Sequence, residues 1–195
     1  MADKAWKVLV FAGSIRGDSY NRKLALAAAA ALRSAGVETT WADLKDYPMP
    51  LYDGDVEAVQ GLPPSARAFK QLLMDHDAFV IASPEYNGSF PALLKNVIDW
   101  TSRPERGEKP LAAFRGKTAA ILSTSPGSGG GQRGLRHLRE LLEMIGVTVL
   151  PSQLAIPRAF EAFDAAGELI RVEDRNGLAR VAADVALAGQ TRAAA

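Results

Sequence analysis

WKVLVFAGSIRGDSYN, residues 6–21, joins an apolar run to a crowded polar loop just ahead of an alanine-rich stretch. The apolar part, 6–12, reads as a strand, and 21–35 (NRKLALAAAAALRSA) as a helix ended by Gly36. A turn between strand and helix needs a glycine or two and a cap. It does not need two serines, an arginine and an asparagine within the nine residues GSIRGDSYN. That excess points to a loop that holds something.

The same alternation continues along the chain. Val37 to Leu44 alternates apolar and polar residues, as an edge or half-buried strand does. A proline- and glycine-bearing loop from Tyr47 delays the next helix, SARAFKQLLMDHD at 65–77. AFVIAS at 78–83 is short and almost wholly apolar, the pattern of a strand buried on both faces of a parallel sheet. After PEYNGSF comes a helix at 91–102, with Pro91 suited to its first turn. KTAAILSTS at 117–125 is a fourth strand. The helix at 134–146 follows, with Leu135, Leu138, Leu141, Leu142 and Ile145 at core-facing spacing. VTVLPSQLAIP at 147–157 is a fifth strand with its exit, 177–190 a closing helix, and QTRAAA a frayed tail. Five strands alternating with five helices predict an α/β fold: one doubly wound five-stranded parallel sheet with helices on both faces. No linker or repeat divides residues 1–195, so a single domain is expected.

Composition narrows the function. With 23 basic and 22 acidic residues the net charge is +1, so no global field recruits nucleic acid or an anionic membrane. The chain has no cysteine, which excludes a thiolate metal site and a cysteine nucleophile. The runs VLVFA and LALAAAAAL are too short for a signal peptide or a bilayer span, and a cytoplasmic protein is expected.

In a doubly wound sheet ligands bind outside the carboxyl ends of the strands. Strands one, three and four end in GSIRGDSYN, SPEYNGSF and STSPGSGGG, and the flavodoxin-like strand order makes these three neighbours. The first loop suits an anion. Backbone N–H groups at a helix N-terminus bind phosphate, Ser14, Ser19 and Asn21 add polar donors, and Arg16 adds a planar cation. Any one of these serines could be a plain cap; the set favours phosphate. PEYNG offers an aromatic side chain and closely spaced amides on which a flat heteroaromatic ring could lie. It also reads as an ordinary Asn87-Gly88 turn, and both readings stand.

Other motifs carry less. Gly129, Gly131 and Gly134 satisfy G-x-G-x-x-G but follow the wrong strand, and read as a flexible loop hugging a ligand. Gly116-Lys117-Thr118 mimics the end of a P-loop, yet Leu111 stands where its first glycine should be. His76 and His137 lie in separate helices without ligand spacing, as surface or capping residues, so no metal is expected. No G-x-S-x-G elbow exists. A binding site without an acid, base or nucleophile set fits a protein whose cofactor does the chemistry.

GSIRGDSYN, PEYNGSFPALLKNVIDW and STSPGSGGGQRGLRHLRELL resemble the NAD(P)H-dependent FMN reductase family, a flavodoxin-like group that includes quinone, chromate, azo-dye and ferric reductases. The similarity runs from about Val8 to about Pro157, with the three motifs in the family's order. It implies that Ser14, Arg16, Ser19, Tyr20 and Asn21 hold the FMN phosphate. Pro84, Glu85, Tyr86, Asn87 and Gly88 would border the isoalloxazine ring, mostly through backbone groups. Ser123, Ser125 and Gly127 would close the other side. The resemblance further implies a homodimer or homotetramer, to which Leu94, Val97 and Trp100 could contribute unless they are core. It also implies ping-pong transfer of hydride from NAD(P)H through FMN N5 to a small acceptor, with no catalytic side chain. The alternative is a flavodoxin-like FMN electron carrier. Such carriers are strongly acidic, and a chain at +1 is not.

Overall fold

The computed structural model describes residues 6–193. Five strands, β1 (Lys7–Ala12), β2 (Glu38–Ala42), β3 (Ala78–Ala82), β4 (Thr118–Thr124) and β5 (Thr148–Ile156), form one sheet in the order β2-β1-β3-β4-β5. Every pairing is parallel. Among the described residues six α-helices accompany them: α1 (Tyr20–Ser34), α2 (Gly54–Gln60), α3 (Pro64–Asp75), α4 (Ala92–Thr101), α5 (Gln132–Met144) and, after β5, α6 (Val172–Ala193). This is the flavodoxin-like α/β/α arrangement, with β2 at an edge as its alternating sequence predicts.

The inner strands read as continuous apolar runs because each face of the sheet has its own core. Val8, Val10, Ala78, Val80, Ala120 and Leu122 pack toward α1 and α6. Their neighbours in sequence, Leu9, Phe11, Phe79, Ile81, Ala119 and Ile121, pack toward α3, α4 and α5. Ala25, Ala28 and Ala29 are buried, so the alanine run brings α1 close to the sheet.

Two expectations change and two open alternatives are decided. The loop after β2 contains the short helix α2, which Asp53 caps by accepting from the Asp55 N–H and which Gly61 ends at φ 71°. Seven residues starting at a glycine leave no legible period. Helix α6 begins at Val172, five residues before the expected start, and continues into the expected frayed tail. Arg192 there bonds the Gly116 carbonyl at 3.0 Å and lies over the Trp6 ring, while residues 194–195 fall outside the described part. Leu94, Val97 and Trp100 are buried within the chain, so α4 does not offer them to a second copy. His76 is buried, not a surface residue: it is the C-cap residue of α3, and its ring joins the Leu72 carbonyl to the Thr40 hydroxyl of β2.

The long connection from α4 to β4 is fastened by an ion pair. Lys70 of α3 is almost fully buried, donates to the Arg103 carbonyl at 2.7 Å and pairs with Glu108. Glu108 also accepts the Glu105 N–H. Burial pushes the Glu108 carboxyl up, but Lys70 and the Glu105 N–H outweigh it and hold the carboxyl below its ordinary range. A depressed carboxyl pKa stabilises the fold above the unfolded value of about 4.3. That contribution is lost as the pH falls through the folded value. Glu108→Gln is therefore expected to lower stability at pH 7 by on the order of 2–3 kcal/mol, leaving Lys70 buried without its counter-charge. In urea unfolding the gap to the parent chain should close at low pH; a constant gap would show that the pair does not carry the effect.

Candidate functional site

The loops after β1, β3 and β4 are sewn together at the carboxyl edge of the sheet. The Gly13 N–H donates to the Ala82 carbonyl at 2.9 Å, and the Ser83 N–H to the Leu122 carbonyl at 2.8 Å. On the far side the Ser125 N–H donates to the Ile156 carbonyl at 3.2 Å. The three unusual strand ends therefore share one crevice.

The first loop is rich in open donors. The peptide N–H groups of Ile15, Gly17, Asp18, Ser19, Tyr20 and Asn21 donate to no acceptor among the described residues. They stand at or just ahead of the N-terminus of α1, where the helix dipole favours an anion. Ser14 is buried, and its hydroxyl accepts the Arg16 N–H at 3.3 Å. Ser19 is the N-cap of α1 and accepts from the Arg22 N–H. Arg16 is exposed, donates to the Asp18 carbonyl at 2.7 Å and lies over the Tyr20 ring. Tyr20 stacks on Phe163 at 6.3 Å, so the segment after β5 buttresses this loop. The Asp18 carboxyl is held below its usual range, first by the hydrogen bond from Lys23.

Asn21 does not point out of the loop. Its amide donates to the Thr124 carbonyl at 2.8 Å and its side-chain oxygen accepts the Thr124 N–H at 3.0 Å. Both halves of the amide are thus engaged with the end of β4, and the side chain is buried.

PEYNG forms a two-residue turn. Tyr86 and Ser89 exchange backbone hydrogen bonds at 2.9 and 3.1 Å around Asn87 (φ 53°) and Gly88 (φ 80°). Positive φ at both central residues is the type I′ turn that Asn-Gly favours. Tyr86 is more than half exposed, so it does not cover the core edge. The Glu85 carboxylate accepts the Gly134 N–H of α5 at 2.9 Å, satisfying one open donor at that helix start. This leaves the N–H groups of Glu85, Asn87 and Gly88 without acceptors among the described residues. Pro84 is buried at the start of the turn.

The third loop is less open than its glycines imply. Ser125 accepts the Gly127 N–H on its hydroxyl at 3.4 Å and the Ala159 N–H on its carbonyl at 3.1 Å. The Gly127 carbonyl accepts from Gly130 at 3.3 Å. Ser123 is fully buried and its hydroxyl finds no partner. It lies directly beneath Gly131, where a Cβ would stand 1.9 Å from the Ser123 oxygen. A Cβ added at Gly134 would stand 3.3 Å from the backbone of Ser89. Gly131 and Gly134 thus serve close packing within the chain, correcting the expectation of a flexible loop hugging a ligand. Only Gly129 of that trio faces open space.

A family model described as NADPH-dependent FMN reductase matches residues 6–161. The chain belongs to that family. An NAD(P)H-dependent FMN reductase of Pseudomonas aeruginosa is 42% identical over 165 residues, 84% of each chain. A 2-hydroxy-1,4-benzoquinone reductase of a Burkholderia species is 35% identical over 175 residues, 89% of this chain and 91% of the relative. The NAD(P)H:(acceptor) oxidoreductase FerB of Paracoccus denitrificans superposes with a TM-score of 0.80 at 28% identity, over 96% of this chain and 98% of that one. The chain is accordingly a flavin-dependent oxidoreductase with FMN as its cofactor. Its donor set fits that group: a cluster of N–H groups with Arg16 for a phosphate, and the open amides of PEYNG for the polar edge of a flat ring. Among the described residues no three His, Asp or Glu side chains gather to hold a metal, and no helix is long and apolar enough to cross a membrane.

Sequence reasoning missed Thr124, whose backbone Asn21 clasps, and Phe163, which supports Tyr20. It also missed Lys45, whose ammonium lies beside Gly17. Backbone partners and contacts from distant loops leave no local motif.

Proposed function

We propose that the protein is a cytoplasmic NAD(P)H:quinone-class oxidoreductase that works through bound FMN by a ping-pong sequence. The observation that carries this is the pairing of two donor clusters in one crevice: the open N–H groups of 15–21 beside Arg16, and those of Glu85, Asn87 and Gly88. Bound FMN supplies a ring that accepts hydride at N5 from NAD(P)H and hands two electrons to the acceptor. The chain's part is placement and electrostatics. Arg16 and the N–H groups of residues 15–21 hold the phosphate, with Ser14, Ser19 and Tyr20 shaping the loop around it. The open PEYNG amides would serve the polar edge of the ring, where fixed N–H dipoles would favour the negative charge of the reduced cofactor. Pro84 and the Glu85 carboxylate fix that turn from behind, while Ser125 and Gly127 border the opposite side over a floor made by Ser123. Asn21 acts as a clamp between the loops. Exposed Tyr86 would border the open side of the ring, where nicotinamide and acceptor would dock.

The quinone class is chosen because the Burkholderia relative is named as a benzoquinone reductase. The expected assembly is a homodimer or homotetramer, whose contacts would use exposed apolar residues such as Leu51 and Val59.

The test is an anaerobic visible spectrum of the purified protein. A bound-flavin spectrum should bleach with NADPH or NADH and return with a benzoquinone. A flavin spectrum indifferent to both nucleotides would identify an electron carrier instead. A protein that binds no FMN would overturn the reading. Sedimentation of the same sample reads the assembly, and a single 20.8 kDa species would contradict an oligomer.

A further inference from the structure

We infer that Lys45, in the turn just after β2, completes the phosphate site with Arg16. The inference rests on the FMN reading above and adds a residue that neither loop motif contains. Lys45 follows Asp43, which caps a short turn of 3-10 helix at Leu44–Asp46. Its side chain crosses to the first loop, placing Nζ 3.9 Å from where a Cβ on Gly17 would stand.

The neighbouring charges are otherwise committed. Asp18 pairs with Lys23, and Asp43 pairs with Arg22. Burial raises the Asp43 carboxyl, but the Lys45 N–H, Arg22 and the nearby Lys45 charge outweigh it and hold it below its usual range. Asp46 is exposed and its charge bears on the Tyr47 hydroxyl. Lys45 Nζ itself makes no hydrogen bond or ion pair among the described residues, and Arg16 is engaged by a backbone carbonyl and the Tyr20 ring but by no carboxylate pair. Neither cation has an ion pair of its own: Lys45 acts on Asp43, and Arg16 on Asp18, only as a Coulombic neighbour of a carboxylate paired elsewhere. A phosphate monoester carries close to two negative charges at neutral pH, so it would balance both. Gly17 adds no side chain between the ammonium and the loop's N–H groups, which keeps the approach clear.

The ligand chemistry is a phosphate monoester, and the source favoured here is the FMN 5′-phosphate. The experiment compares FMN with riboflavin, which lacks the phosphate, by titrating each into the flavin-depleted full chain and following flavin fluorescence. Lys45→Ala should raise the FMN Kd about tenfold, the scale of one charge-assisted hydrogen bond, and leave riboflavin binding unchanged. Lys45→Arg should keep most of the FMN affinity, and Lys45→Glu should lose more than the alanine variant. Lys45 is exposed, so these variants should fold. An unchanged FMN Kd in both the alanine and glutamate variants overturns the inference, as does an equal loss for riboflavin. If instead the KM for NADPH rises while that for NADH and the FMN Kd do not, the phosphate is the coenzyme's 2′-phosphate and the FMN assignment falls. A parent chain that binds neither flavin would refute the cofactor reading itself, a separate result.

Discussion

Gly131→Ala is expected to cost at least about 3 kcal/mol and to lower the melting temperature by about 6–12 °C for a chain of this length. The new Cβ would stand 1.9 Å from the Ser123 oxygen and 2.7 Å from its Cβ. Ser123 is fully buried at the end of β4, so it has nowhere to retreat. The backbone at Gly131 has φ 94°, which L-residues avoid, adding strain that no repacking removes. The start of α5 would have to lift away, pulling the Gly134 N–H from Glu85 and loosening PEYNG. A second substitution separates clash from strain. Ser123→Gly removes both contacted atoms, so the double variant should recover most of the loss and retain only the φ penalty. Ser123→Ala would recover less, because its Cβ stays within 2.7 Å. Differential scanning of the four proteins measures these steps. If Gly131→Ala melts with the parent chain, the packing described for this loop is wrong.

The contrast between the glycines shows where sequence is legible and where it is not. Strand order and the two-sided core could be read because β1, β3 and β4 spell their burial directly, alternate residues facing opposite helices. The Asn87-Gly88 turn was legible because positive φ at two successive residues has a local chemical signature. Gly131 carries the same letter for another reason, a close approach to Ser123 that depends on how α5 meets β4. Lys45 was silent in the same way. It lies nearly thirty residues from the loop it serves, on the neighbouring strand's exit, and nothing in its local sequence separates it from an ordinary surface lysine. The Asn21 pattern was legible as a polar residue at a site, but its task was not, because the task is set by the backbone of a strand 103 residues away.

That task makes Asn21 the position where fold and site are hardest to separate. Strand β3 pairs with β4 up to Ala82 and Leu122, with the Ser83 N–H donating to the Leu122 carbonyl. One step further, a continued parallel ladder would match Thr124 with the Ser83 carbonyl and the Glu85 N–H. The chain instead leaves the sheet at Pro84, and the Asn21 amide supplies both the acceptor and the donor that Thr124 needs. One side chain thus stands in for a strand residue and releases the Glu85 N–H into the crevice. Asn21→Ala would leave a buried peptide N–H and a buried carbonyl unpaired, each costing about 1–3 kcal/mol. The expected loss is about 2–6 kcal/mol, read by urea unfolding. Asn21→Asp should do no better, since its carboxylate can accept from the Thr124 N–H but would oppose the Thr124 carbonyl. FMN affinity should fall with both variants, because the first loop and the end of β4 lose the link that sets their spacing. Full stability in Asn21→Ala would mean that the sheet edge closes without the amide, and the clamp would have to be abandoned.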